Sequence, residues 1–198
     1  MALVAKIRTP ISLSTAARAI ETALVAVRRV STAEAVGKVL AYQITEHGQR
    51  SNGGVACLWS VWNNNIGNLK PGDRSCQDWF SLPGATEFDA TGKPIPKPDV
   101  SFRAFSSPEA GELAVLRQID KRWPAALDAA LDASKGAGDV AEALLSRGRS
   151  DSGAMTWPPY ASAGNNPVAR GAYRQCVVAC WAGARLVALA ECAPTRGR

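Results

Sequence analysis

A glutamate, Glu46, closes the helix-like stretch Tyr42-Gln43-Ile44-Thr45-Glu46-His47-Gly48. The asparagine-rich run Trp62-Asn63-Asn64-Asn65-Ile66-Gly67-Asn68-Leu69-Lys70 follows shortly after. A carboxyl group at a helix end, facing a loop rich in side-chain amides, suits cleavage of a glycosidic bond. The acid protonates the leaving oxygen, and the amides donate to and accept from hydroxyl and acetamido groups. Such an acid must hold its proton near neutrality, and a partly apolar cleft achieves this by disfavouring the charged form. Ile44 on the same helix, with Trp59 and Trp62 beyond it, offers such a lining. The competing reading of Glu46 is a solvated surface residue, although a carboxylate there opposes the helix dipole.

Within the run, Gly67 permits a positive backbone angle. Asn65 and Asn68 are expected to fix the loop beneath the helix, with Asn63 or Asn64 nearer to solvent and to a sugar; a purely structural asparagine turn is the alternative. Trp59, Trp62, Trp79 and Trp157 present ring faces on which sugars stack, and each also suits a core.

These side chains need a scaffold. Apolar residues at Leu13, Ala16, Ala17, Ile20, Ala23, Leu24 and Val27 predict a helix over 12–29. Ser31-Thr32-Ala33-Glu34 reads as a capping box opening a second helix, with Gly48 as its left-handed terminator, so Glu46 falls on the last turn. From Gly53 to Pro98, glycine, proline and asparagine punctuate short strands at 79–82 and 85–88, and 100–104 alternates and could pair with the preceding strand as a hairpin. Ser107-Pro108 starts a third helix with an apolar face of Leu113, Leu116, Ile119 and Trp123. Alanine-rich stretches at 125–134 and 139–147 predict two short helices. A last helix over about 168–190 is apolar almost all round, as a central buried helix would be. The fold class is therefore α+β, predominantly helical, with a small β-hairpin lobe at about 70–106. One domain spans 1–198, and the tails 1–10 and 193–198 are expected to be flexible.

In this order, Glu46-x-Gly48, Asn63-x-Asn65-x-Gly67-Asn68-x-Lys70, Thr86-Glu87-Phe88 and Phe102-Arg103-Ala104-Phe105-Ser106-Ser107 resemble the peptidoglycan-cleaving endo-β-N-acetylglucosaminidases of the lysozyme-like superfamily, which include flagellar and phage wall hydrolases. The resemblance runs from roughly Thr32 to Tyr173. It implies a lysozyme-like fold, Glu46 as catalytic acid and Glu87 as second carboxylate, with Asp89 its substitute if the strand register differs by two. It also implies a sugar site lined by Tyr160 and Tyr173, no cofactor or metal, and peptidoglycan as the polymer. A lytic transglycosylase, and a non-catalytic wall-binding or virion module of the same shape, share most of these features.

Composition narrows the partners. The net charge of +6 favours an anionic one, and because the cations are scattered rather than gathered in a run, the acidic wall polymer is preferred to nucleic acid. The N-terminus carries Lys6 and Arg8 before Pro10 and does not read as a signal peptide, which suggests a phage-encoded lysin or specialised export. The stretch from Val177 to Ala190 is too short and too interrupted to span a membrane. A monomer is expected. A single histidine disfavours a zinc amidase, and Cys57 follows His47 too closely for a thiol–histidine pair of recognisable pattern. Five cysteines leave at least one unpaired; Cys57 and Cys76 bracket the asparagine loop, either bridged or as free thiols.

Overall fold

The computed structural model describes residues 2–51, 54–71, 78–83, 86–88, 94–96, 99–155, 159–160 and 166–192. Cys76, Asp89, Trp157 and the tail 193–198 lie outside them.

Helix α1 (Leu13–Arg28) starts where Ser12 Oγ accepts from Thr15 N–H at 3.0 Å. Helix α2 (Ala33–His47) is capped by Thr32, whose hydroxyl accepts from Ala35 N–H at 3.0 Å. This corrects the capping box expected at Ser31: Glu34 does not reach back to a helix-start amide but accepts from Arg185 Nε at 2.8 Å. Gly48 is not a left-handed terminator either. Its φ of −71° and ψ of 134° are extended, because the chain leaves α2 directly into a strand.

That strand, β2 (Gly48–Ser51), belongs to a three-stranded antiparallel sheet with β1 (Ile11–Ser12) and β3 (Gly54–Leu58), in the order β1-β3-β2. Ile11 and Gly48 both pair with Leu58, so this sheet ties the start of α1 to the end of α2. In the second lobe, β4 (Trp79–Pro83) pairs with β7 (Asp99–Arg103), setting Phe80 opposite Phe102 with their rings stacked at 5.7 Å. Between them, β5 (Thr86–Phe88) pairs with β6 (Pro94–Pro96). The strand at 100–104 thus pairs with Trp79–Pro83 and not with the strand just before it, because Thr86–Phe88 is already taken by Pro94–Pro96.

Helices α3 (Pro108–Arg122), α4 (Pro124–Leu131), α5 (Ala137–Leu144) and α6 (Pro167–Glu191) complete the chain. Ser107 caps α3 with Pro108 in the first turn, as its sequence signature predicts. The architecture is mainly helical with small sheets, an α+β arrangement. No helix among the described residues is long and apolar enough to cross a membrane.

The central buried helix is α2. Every residue from Ala35 to Ile44 is buried, and α1, α4, α5 and α6 pack around it. The expectation that α6 fills this role fails: only Val177, Ala184 and Ala188 of α6 are buried, while Val168 and Leu186 are 85% and 69% exposed. Seven alanines alternate with larger apolar side chains along it, and Arg170, Arg174 and Arg185 are spread around the helix, so it presents a narrow stripe to α2. Gly37 of α2 permits that close contact; a methyl there would lie 3.0 Å from the Arg185 Cα. Lys38, fully buried, extends its ammonium to the carbonyls of Ala130 and Asp132 at 3.2 and 2.8 Å, capping the end of α4.

The N-terminal residues also depart from expectation. Residues 2–10 form an extended strap rather than a loose tail. Val4 N–H donates to Trp79 O at 2.9 Å and Thr9 N–H to Val61 O at 3.0 Å. Asn63 secures the strap with its side chain, accepting from Ile7 N–H at 2.9 Å and donating to Ala5 O at 2.8 Å. Its φ of 49° lies in the left-handed region that asparagine tolerates. Asn63→Ala removes both bonds and leaves an alanine at that angle, so it is expected to cost about 1–3 kcal/mol. It should also open residues 2–9 to limited proteolysis; a variant as resistant as wild type would show that the strap holds without Asn63.

Candidate functional site

One turn of helix sets up the site. At the end of α2, Gln43 and His47, four residues apart, share a face and point into protein, while Glu46 lies at the edge of that face where the protein opens. It emerges into a cleft of about 920 Å³ between the Asn68–Pro71 segment, Arg103, one face of α3, Trp123, Pro159 and Tyr160. Glu46 is exposed to the cleft's open side, yet the protein packed behind it desolvates the carboxyl enough to raise its pKa above the ordinary glutamate value. The phenol of Tyr173, reaching in from α6, approaches this carboxyl and partly offsets the rise. The approach is loose, since the hydroxyl does not attain ordinary hydrogen-bond geometry. Tyr173 and Tyr160 are both held well above the usual phenol range by burial and by the neighbouring carboxylate.

Tyr160 is locked in place. Its ring meets Tyr42 edge-on at 6.0 Å and Trp123 edge-on at 5.3 Å, and its N–H donates to Leu144 O at 2.9 Å. Trp123, 5% exposed, is itself anchored by its indole N–H on Ser146 O at 3.2 Å. The apolar wall beside Glu46 is therefore Tyr160, Trp123 and Leu69, not the Trp59 and Trp62 that sequence proximity suggests.

The asparagine run is mostly framework. Asn65, 2% exposed, donates to Leu69 O and Arg103 O at 2.9 and 3.0 Å and accepts from Leu69 N–H at 2.7 Å. Asn63 is committed to the strap, and Asn64 donates to Phe105 O at 3.0 Å. Asn68 alone of the four lines the cleft, exposed and at φ 50°. Asn65 fixes the loop as expected, but Asn63 and Asn68 exchange places, with Asn68 toward solvent and Asn63 inside. Gly67 does not use a positive φ; glycine is demanded by contact, since a Cβ would sit 2.6 Å from Val115 Cγ2 and 2.9 Å from the Tyr160 hydroxyl. At Gly111 a Cβ would lie 2.0 Å from Asn64 O, so the backbone of the run rests directly on α3.

Trp62 lies away from the cleft. Lys6 Nζ stands 4.3 Å from its ring centroid and the Arg8 guanidinium 4.6 Å, so strap cations occupy the ring where a sugar was expected. Glu87 lies on β5 opposite Ile95, where the backbone alone is described. Of the candidate residues, Glu46, Asn68 and Tyr160 come together in the cleft with Tyr173 behind them. Asn63, Asn65 and Trp62 serve the scaffold. Cys57, Cys176, Cys180 and Cys192 carry free thiols.

Two buried titratable groups were not anticipated. The His47 imidazole bonds the backbone of Ile66 and Ser60, and burial drives its pKa down to about 4, so it is neutral at pH 7 and acts as a clasp between α2 and the asparagine run. Glu112 of α3 is fully buried, and both its oxygens accept from Gln43 Nε2, at 2.8 and 2.7 Å. Burial raises its pKa to about 8, so it is protonated at neutral pH and adds no negative charge beneath the site. Its signal was available: Glu112 stands on the apolar stripe of α3 with Val115, Leu116 and Ile119. Five cations line the cleft: Lys70 and Arg103, both within the quoted motifs, and Arg117, Lys121 and Arg122 of α3, which the sequence reading did not single out.

Neither a family model, nor a curated protein, nor a solved structure matches this chain.

His47 and Glu112 tilt stability in opposite directions with pH. The folded state binds fewer protons at His47 than the unfolded chain between about pH 4 and 6.5, so that contribution is lost on acidification. At Glu112 the folded state binds more protons between about pH 4.5 and 8, so stability is lost as pH rises, by roughly 1.4 kcal/mol per pH unit at most. Glu112→Gln removes the second effect alone. Relative to wild type, its melting temperature should gain several degrees more at pH 8.5 than at pH 5; an equal difference at the two pH values would refute a neutral buried acid.

Proposed function

We propose that this protein hydrolyses β-1,4 glycosidic bonds of peptidoglycan, as an endo-β-N-acetylglucosaminidase of lysozyme-like fold with Glu46 as general acid. The observation that carries this reading is the Glu46 carboxyl itself, opening into a 920 Å³ cleft with its pKa raised by desolvation and two phenols beside it. In the reaction, Glu46 gives its proton to the departing glycosidic oxygen, and the amide of Asn68 offers a donor and an acceptor to an acetamido or hydroxyl group. The loosely held Tyr173 hydroxyl is available to steady the carboxylate once its proton is gone. The choice of polymer and bond rests on the sequence resemblance, and the charge of the chain agrees with an anionic wall. Glu87 on β5 remains the proposed second carboxylate.

A second reading, lytic transglycosylase, is favoured by one feature: Glu46 is the sole carboxylate lining the cleft among the described residues. A single acid suffices when the sugar's own hydroxyl displaces the leaving group to give an anhydro product. A non-catalytic wall-binding module would need no Glu46 at all.

Purified peptidoglycan digested with wild type and with Glu46→Gln separates these readings. The hydrolase should release N-acetylglucosamine reducing ends, seen by mass spectrometry, and the variant should be slower by about 10²–10⁴-fold. Wild-type activity should fall as pH rises through the elevated pKa of Glu46, because the protonated form is the active one. Anhydro-muramyl ends would select the transglycosylase, and binding without product from either protein would select the module.

A further inference from the structure

The cleft is electrically lopsided. Lys70 and Arg103 stand on one side and Arg117, Lys121 and Arg122 on α3, facing Glu46 as the one lining carboxylate among the described residues. His47 contributes no charge at neutral pH. Some of the cations are engaged: Asp151 takes Lys121 Nζ at 2.8 Å and Arg122 Nη2 at 3.0 Å, and Arg103 Nε donates to Lys70 O at 3.1 Å. Arg117 is different. It is exposed, one helical turn before Lys121 on the same stripe of α3, and has no hydrogen bond or ion pair among the described residues. A planar guanidinium held free in a cleft is matched to a carboxylate, which it can grip through two parallel N–H bonds. The neighbouring cations add a positive field at Arg117, softened where Asp151 pairs with Lys121 and Arg122.

A bare β-1,4 glycan of N-acetylglucosamine is neutral and gives this wall nothing to bind. In peptidoglycan, alternate sugars carry a lactyl ether extended by a short peptide, whose free carboxylates project sideways from the glycan axis. We infer that Arg117, supported by Lys121, binds a carboxylate of the lactyl-peptide substituent, so that the cleft selects peptide-bearing strands over neutral glycan. This deepens the reading of the cleft as a glycan site and rests on it for the polymer's identity.

Binding tests it without turnover. Glu46→Gln protein is titrated calorimetrically with soluble, phosphate-free peptidoglycan fragments, either native or with their carboxyl groups converted to methylamides. Native fragments should bind about tenfold more tightly than amidated ones. Adding Arg117→Gln should bring that ratio close to one, whereas Arg117→Lys, which keeps the charge without the fork, should retain part of it. A ratio near one before Arg117 is touched overturns the inference. So does a ratio that Arg117→Gln leaves unchanged, an equal weakening of both ligands, or binding to neither. Wild-type digestion of the same fragments keeps the two questions apart: an Arg117-dependent preference without any cleavage retires the glycosidase reading and leaves the anion site. Cleavage without preference does the reverse.

Discussion

Everything in this structure depends on α2 being enclosed by protein until its final turn. Ala35 through Ile44 are buried, and the helix then releases one side chain, Glu46, to solvent while its neighbours Gln43 and His47 stay inside. Gln43 and His47, four apart, share the inward face, and Glu46, about 100° round the helix from His47, lies at the border where the cleft begins. The three-stranded sheet that receives the chain at Gly48 fixes the end point of the helix, and with it the direction in which the carboxyl leaves the core.

Two glutamates near this turn are treated in opposite ways by their surroundings. Glu112 is wholly buried against the Gln43 amide and stays uncharged, so its place in the core costs hydrogen-bond geometry rather than charge desolvation. Glu46 keeps contact with water through the cleft and is raised less, by burial that the phenol of Tyr173 partly offsets. The acid beneath the site is neutral, so it does not add to the field at the acid within it. Cations supply the remaining potential in the cleft, drawn from α3 and from the segments beside the asparagine run.

Much of the scaffold could be read from local signals. Ser107 and the proline that opens α3 mark a real helix start because capping is satisfied within a few residues, and the apolar spacing from Leu13 to Val27 marks α1. Glu46 falls on the last turn of α2 as expected, although neither end of that helix uses the cap that the sequence suggests. Readings failed where the outcome depends on residues distant in sequence. Asn63 and Asn68 exchange roles because the strap of residues 2–10, more than fifty positions away, takes up Asn63's amide and leaves Asn68 free. Gly67 looks like a turn glycine but answers to Val115 and Tyr160 across the fold. Composition misplaced α6, since an alanine-rich helix reads as core although only a thin stripe of it touches α2. The cations of α3 were visible at their helical spacing, yet nothing local reveals that they share a cleft.

That thin stripe has a consequence of its own. Tyr173, the phenol beside Glu46, rides on α6, which packs more extensively on α2 than any other helix does. The companion of the acid is therefore held by the same seam that encloses the central helix. Whatever wedges that seam apart, such as a side chain in place of Gly37, would shift the phenol and unsettle the core in a single event.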